Sequence, residues 1–153
     1  MKLDFFVPGE PQGKGRPRFR QVPSKKLGGK GFVQTYTPAS TVVYENAVKI
    51  FASQAIKGLP PTDKPIFVIM DVVFSPPDSW SKKKKLAAIA GEIHHDKKPD
   101  GDNIQKAVFD GLQGIVVIDD KQIYGHALLK RYGLTPGVRI QISDLYPKGW
   151  FPL

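Results

Sequence analysis

The feature that most constrains this chain is an apolar run of strand length near its middle. Residues 65–74 read PIFVIMDVVF, and Asp71 is the one charged residue among them. Near-continuous apolarity over this length is typical of a strand covered on both faces. We therefore expect a central strand. Because burying an unpaired carboxylate is costly, we expect Asp71 to lie near a wetted strand end or to face a polar site.

Shorter strand-like runs lie towards both ends of the chain. Residues 2–7 predict a first strand, and residues 123–132 and 138–143 predict two more. In the last run, apolar side chains alternate with polar ones, which indicates a half-buried strand. The segment GLTPG separates the last two runs, so we expect them to form a hairpin.

Three stretches carry helix signals. The first covers about residues 38–58, a second follows Ser81, and a third begins at Asp100 or Asp102 and ends near residue 113. The length and the 41% hydrophobic content suffice for one core. We therefore expect one α+β domain over residues 1–153, with a mixed β-sheet packed against about three helices. The apolar stripe expected to bury the first helix comprises Val43, Ala47, Ile50, Phe51 and Ile56.

The charge balance restricts the partner. The chain has 23 Lys and Arg against 14 Asp and Glu, a formal net charge of +9. This excess favours a polyanion, with nucleic acid ahead of an anionic membrane surface. The absence of cysteine excludes disulfides, thiolate zinc sites and cysteine nucleophiles. We see no signal peptide and no apolar run of membrane-spanning length, so the sequence predicts a cytosolic protein without a membrane partner.

Basic residues concentrate in three segments. Between positions 14 and 20 every second residue is basic, so an extended chain would place four positive charges on one face, opposite Phe19. Residues 22–31, VPSKKLGGKG, have the composition of a mobile hairpin tip. Residues 82–85 place four lysines in the first turn of a helix, where a phosphate would relieve their conflict with the helix dipole. The predicted DNA contacts are Lys14, Arg16, Arg18, Arg20, Lys25, Lys26, Lys30, Lys82, Lys83, Lys84 and Lys85.

Each of these basic segments also has a purely structural interpretation. The first could be an edge strand whose charges prevent aggregation. The lysine run could be a solvated helix face. Residues 146–153, YPKGWFPL, carry Trp150 and Phe151, which either cap the core or contact a second subunit.

Acidic residues concentrate in one short stretch instead. Six of the fourteen lie between positions 96 and 120. In the third helix Asp102, Lys106 and Asp110 share a face that lies opposite an apolar stripe. A helix cap explains one aspartate, but it does not explain Asp100 and Asp102 together with the pair Asp119 and Asp120.

Carboxylates that lie close together either take up protons or hold a cation. Oxygen donors without cysteine suit a hard ion, Mg²⁺ or alternatively Mn²⁺, shared with a substrate phosphate. The acidic stretch therefore predicts a metal site that accepts a scissile phosphate, with Lys106 neutralising the phosphate or the leaving oxygen. His94 and His95 could contact phosphate or metal, but adjacent histidines in a polar stretch are more often loop residues.

Two motifs lie in the acidic stretch: KPDGDNIQKAVFD, residues 98–110, and DDKQI, residues 119–123. Together they resemble a known family, the RusA-like Holliday junction resolvases and their phage-type members. The segments PQGKGRPRF and YTP are also similar to those of the phage-type branch. The resemblance covers most of the chain.

The resemblance implies a small mixed-sheet homodimer, encoded by a bacterium or phage, that cuts four-way DNA junctions in recombination and repair with Mg²⁺ or Mn²⁺. By position, the metal-binding aspartates of the family fall on Asp100, Asp102 and Asp120, and its catalytic lysine falls on Lys106. The choice of Asp120 over Asp119 stays open. Two other hypotheses are a junction or duplex DNA-binding protein without catalysis and a metal-dependent enzyme for small phosphorylated molecules.

Overall fold

The structure is a computed structural model that describes residues 1–16, 18–25 and 29–145. The expected tail contacts of Trp150 and Phe151 lie outside these residues, as does Lys26. The strands are β1 (Lys2–Pro8), β2 (Arg18–Val22), β3 (Phe32–Tyr36), β4 (Ile66–Phe74), β5 (Ile123–Tyr132) and β6 (Gly137–Ser143). The helices are α1 (Ala39–Ile56), α2 (Lys82–Ile89) and α3 (Gly101–Leu112), with a 3₁₀ turn at Asp120–Gln122.

Four strands form a mixed sheet in the order β1-β6-β4-β5. β4 pairs with β5 in parallel and with β6 in antiparallel orientation. Seven of its nine residues are buried, so the prediction of a central strand is confirmed, but Ile69 and Asp71, which share one face, are only half-buried. With three helices and a separate two-stranded ribbon, the chain forms a single small α+β domain, as expected.

The expected hairpin of β5 and β6 is wrong, because β4 lies between these two strands. The connection passes over the end of β4, where the Gly133 amide donates to the carbonyl oxygen of Phe74 at 3.0 Å. The physical reason is the apolar character of β4. A strand that is hydrophobic on both sides gains most from the central position, and there it takes β5 and β6 as its two neighbours.

The core lies between one face of the sheet and the helices α1 and α3. Val68, Met70 and Val72 point from β4 towards this core. α3 contributes its predicted apolar stripe, and all five of these residues are buried: Ile104, Ala107, Val108, Gly111 and Leu112.

The predicted stripe of α1 is only partly correct. Ile56 is buried, whereas Val43 and Ile50 are exposed. The residues of α1 that are buried are Thr41, Tyr44, Val48, Ala52 and Ile56. Thr41 and Tyr44 carry hydroxyl groups, so a search for purely apolar spacing selected the neighbouring side of the helix.

The opposite face of the sheet carries ion pairs. Arg131 of β5 donates two hydrogen bonds to the carboxylate of Asp71, at 2.8 and 2.7 Å. Arg139 of β6 makes the same two-point contact with Asp4 of β1. Asp71 therefore faces a polar site, which was one of its two expected environments, and its partner there is an arginine.

The strands β2 and β3 form a separate antiparallel ribbon. Every residue of β3 is exposed, as is every residue of β2 except the half-buried Val22. The two strands are consecutive in the chain, so the expectation of a hairpin around residues 22–31 is confirmed, with Val22 as the last residue of β2. Within the described residues, no helix is long and apolar enough to cross a membrane.

Candidate active site

The start of α3 carries a carboxylate without a local structural role. Asp100 occupies the N-cap position in an extended conformation, yet its side chain makes no capping hydrogen bond. The expectation that an aspartate caps this helix is therefore wrong for Asp100, and Asp102 lies inside the first turn. Lys130 of β5 fixes the preceding segment, because its ammonium donates to the carbonyl oxygens of Lys97 and Pro99 at 2.7 and 3.0 Å.

The basic N-terminal loop passes directly over this helix start. The Lys14 amide donates to the carbonyl oxygen of Asn103 at 2.8 Å. A Cβ at Gly13 would lie 2.9 Å from the Cβ of Pro99, and a Cβ at Gly15 would lie 2.8 Å from the Cγ of Pro38. Both distances are too short for any side chain. The glycines of the GKG segment thus allow the loop to lie against α3 and α1.

Between the loop and the helix start lies an open cleft of about 690 Å³. Its charged lining comprises Asp100 from the acidic stretch, Lys98 two residues before it, and Lys14 and Arg16 from the first basic segment. The structure thus brings Asp100 together with two cations, Lys14 and Arg16, that are 84 or more positions away in the chain. This is a suitable arrangement for a phosphate that must approach a carboxylate-bound cation.

Lys14 also has a structural role that the sequence did not predict. Its ammonium forms an ion pair with Asp110 of α3 and lies 3.9 Å from Oε1 of Glu45 in α1. The hydrogen bond to Asp110 raises the pKa of Lys14. The basic strip expected from Lys14 to Arg20 is therefore interrupted at its first member, because Lys14 turns towards the protein.

Asp102 and Lys106, which share a face of α3 with Asp110, are exposed to solvent. Lys106 and Asp102 form an i,i+4 pair with 3.5 Å between Nζ and Oδ2, and both side chains are more than half exposed. Such a pair contributes little to stability. Both groups are therefore accessible to a substrate, while Asp110, the third member, is engaged by Lys14.

The two candidates of the second acidic motif differ in their surroundings. Asp119 caps the 3₁₀ turn through a reciprocal capping box with Gln122, and its carboxylate accepts from the Lys121 amide at 3.0 Å. That hydrogen bond lowers the pKa of Asp119. Asp120 follows as the first residue of the turn and is exposed. The capping role of Asp119 favours Asp120 as the residue free to bind a ligand.

The carboxylates of Asp100, Asp102 and Asp120 come from two neighbouring elements, because α3 and the 3₁₀ turn are in contact. Within residues 1–16, 18–25 and 29–145, however, no three His, Asp or Glu side chains lie close enough together to hold a metal ion. The donor chemistry fits a hard divalent cation, since these are carboxylate oxygens and Asp100 is free of a cap bond. The sequence predicts a metal site formed by the acidic residues, but the structure does not bring three of the described carboxylates close enough together to form one.

The remaining predicted contacts lie away from this cleft. The lysines at 82–85 occupy the first turn of α2, as expected, with Ser81 accepting from the Lys84 amide at 3.3 Å. The Lys84 ammonium lies 4.1 Å from the ring centre of Trp80, a cation–π contact. Lys25 and Lys30 are exposed beside the ribbon tip, and Arg18 and Arg20 are exposed on β2.

His95 has a packing role. Its ring stacks on Phe74 with 3.9 Å between centres, and burial, followed by the charge of Lys130, lowers the pKa of His95. Sequence reasoning missed Lys98, Asn103 and Glu45 as parts of the site. Lys98 immediately precedes the PDGDN motif and could have been included, whereas nothing in the local sequence marks Glu45.

Comparison with known proteins identifies the family to which this arrangement belongs. A family model described as "Endodeoxyribonuclease RusA" matches residues 8–143. The chain belongs to the RusA endodeoxyribonuclease family. The matched region contains the GKG loop, α3 and the 3₁₀ turn, so the whole candidate site lies within it. The expected family membership is confirmed.

One relative is similar to this chain over nearly the full length of both proteins. It is named "Uncharacterized protein YqaN" from Bacillus subtilis (strain 168) and is 35% identical over 147 residues. The alignment covers 94% of this chain and 96% of that protein. Membership of an endodeoxyribonuclease family supports an enzymatic role for the chain.

Proposed function

We propose that this chain is a magnesium-dependent endonuclease that resolves four-way DNA junctions. The observation that supports this most strongly is the cleft in which Asp100, without a cap bond, faces Arg16 and Lys98. A DNA backbone lying along the basic side would present a phosphate to the acidic side. RusA-type nucleases generally depend on a divalent metal, which agrees with the donor chemistry of the site.

Asp100, Asp102 and Asp120 would hold Mg²⁺, or Mn²⁺ in its place. The bound ion would supply a water of lowered pKa and would stabilise charge on the phosphate. The protein contributes the positions. Lys106, one helical turn from Asp102, presents a largely exposed ammonium that can neutralise the leaving oxygen. Arg16 and Lys98 bind the flanking backbone, and Arg16 offers a fork that suits phosphate oxygens.

A homodimer would place one such site on each of two opposed strands of a junction. This arrangement accounts for symmetric resolution, since two-fold symmetry of the protein would match the approximate symmetry of the DNA. The family resemblance further implies a bacterial or phage protein that acts in the cytoplasm during recombination and repair.

The decisive experiment is cleavage of a synthetic four-way junction by the parent protein and by Asp102→Asn, with Mg²⁺ and with a chelator. We expect the parent to cut only with metal. Loss of several kcal/mol of transition-state stabilisation would slow Asp102→Asn by roughly 100-fold or more. Asp78→Asn is the matched control, because Asp78 is an exposed aspartate outside the cleft.

Each other outcome has a distinct meaning. A junction that the parent binds but leaves intact would identify a DNA-binding protein without catalysis. Equal cleavage by the parent and Asp102→Asn would refute the assigned site while leaving the nuclease activity in place.

A further inference from the structure

The ribbon of β2 and β3 combines exposed aromatic rings with positive charge. Phe19 is 73% exposed and Phe32 is 61% exposed, although neither ring is needed by the core. A two-stranded ribbon alone is only marginally stable in water, so large apolar side chains on its surface need an explanation from binding.

Charge restricts the partner of this ribbon to a polyanion. Between Glu10 and Glu45 the chain has no acidic residue and seven basic ones. Four of these, Arg18, Arg20, Lys25 and Lys30, are exposed within the described part of the ribbon and its loop. A basic or neutral protein surface would gain nothing from them, whereas a DNA backbone would lose counterions to each contact.

The two faces of the ribbon carry different groups. Directly opposed residues share a face, so Arg18 and Arg20 lie on the face of Phe32, while Phe19 lies on the other face. A wedge with an aromatic ring on each side fits a gap that has base faces on both sides. Intact duplex has no such gap, because its bases are stacked, whereas the centre of a branched junction exposes the terminal base pair of each arm.

The position of the ribbon agrees with this partner. β2 begins two residues after Arg16, which lines the cleft beside Asp100. DNA held by the ribbon therefore lies next to the proposed cleavage site.

We infer that the ribbon recognises the branch point of the DNA, with Phe19 and Phe32 stacking on base-pair ends of the junction. Arg18 and Arg20 hold the adjacent phosphates. This inference rests on the proposed function, because it explains how a nuclease with this site would distinguish branched DNA from duplex. The basic residues supply affinity for any DNA, and the rings supply the preference for the branch.

The test compares the affinity of Phe19→Ala and Phe32→Ala for a four-way junction and for a linear duplex of the same sequence, without divalent metal. Since stacking of one base on an aromatic ring adds to the affinity for the junction, each variant should bind it roughly 10-fold more weakly. Affinity for duplex and its salt dependence should stay unchanged. Val33→Ala is the matched control, because Val33 is an exposed apolar residue on the face of Phe19 without a ring.

Arg18→Ala gives the opposite signature. It should weaken junction and duplex binding alike. The slope of log affinity against log salt concentration should fall by about the equivalent of one phosphate contact. Thermal unfolding of every variant checks that the exposed substitutions leave the fold intact. The intensity of a fluorescent 2-aminopurine at the branch point, measured at saturating protein, should change with the parent and stay unchanged with the Phe19→Ala/Phe32→Ala double variant.

The failures of the two proposals are distinguishable. If the parent prefers the junction and both phenylalanine variants keep that preference, the inference about the ribbon is refuted and the proposed function stands. Equal weakening of junction and duplex by Phe19→Ala also refutes it. If the parent neither prefers nor cuts the junction, the proposed function itself fails.

Discussion

Lys14 and Asp110 form an ion pair that joins the GKG loop to α3, across 96 positions of sequence. The pair is partly shielded from solvent, and Glu45 of α1 lies beside it. It holds in place the loop from which Arg16 reaches the cleft. We therefore expect Lys14 to act as a positioning residue, although its place in a basic segment alone predicts a phosphate contact.

A double-mutant cycle separates these two roles. Lys14→Met and Asp110→Asn should each slow junction cleavage, because either change releases the loop. Their combination should slow it little further, and a coupling of about 1 kcal/mol should appear in the free energy of unfolding. Measurements of cleavage rate, denaturant unfolding and the salt slope of DNA binding are required. A salt slope that falls for Lys14→Met but not for Asp110→Asn would show that Lys14 contacts phosphate directly.

The close approach at Gly13 gives a second test of the loop position. Gly13→Ala would place a methyl group 2.9 Å from the Cβ of Pro99 and 3.0 Å from the Cβ of Asn103, and neither atom can rotate away. The loop must therefore move off α3, at a cost of about 1–3 kcal/mol in the free energy of unfolding, with loss of cleavage. Gln12→Ala, an exposed neighbour, should keep parental stability. Unchanged unfolding of Gly13→Ala would contradict the observed packing.

The sequence predicted those features whose signals are local. The apolar run gave β4, the 3.6-residue stripe gave α3, and the Gly- and Lys-rich segment gave the ribbon tip, because each depends on neighbours in the chain. Strand order and the contacts of Lys14 depend on tertiary structure. No spacing rule pairs Lys14 with Asp110 or places β4 between β5 and β6. The residue type of Asp100 fits an N-cap, which is why the sequence predicted one. The prediction was wrong because the side chain of Asp100 does not make the capping hydrogen bond.

Glu45 should make the stability depend on pH. Burial raises the pKa of its carboxyl above the ordinary 4.5, the charge of Lys14 opposes this, and its Oε1 is buried without a hydrogen-bond partner. The folded state therefore binds this proton more tightly than the unfolded state, so this contribution to stability is present below pH 4.5 and is lost as the pH rises through the raised value. Glu45→Gln has no carboxyl group to ionise at this position, so it does not lose this stability as the pH rises.

The expected result is that Glu45→Gln is more stable than the parent at about pH 7.5, and that the advantage disappears near about pH 4. Denaturant unfolding across this range gives the comparison. Glu92→Gln, at an exposed position, is the control for a simple change in net charge. An advantage that is constant with pH would mean that Glu45 has no raised pKa.

Asp119 and Asp120 offer a matched pair of substitutions for the second acidic motif. Asn at position 119 can still accept from the Lys121 amide, so Asp119→Asn should preserve the 3₁₀ turn and most of the cleavage. Asp120→Asn should slow single-turnover cleavage by roughly 100-fold or more, because it removes a proposed ligand at an exposed position without a capping role. Titration with Mn²⁺, followed by paramagnetic broadening of NMR signals, should show weaker binding for Asp120→Asn alone. The reverse pattern, with cleavage and metal binding lost for Asp119→Asn, would assign the ligand to Asp119 and require the capping box to open when the metal binds.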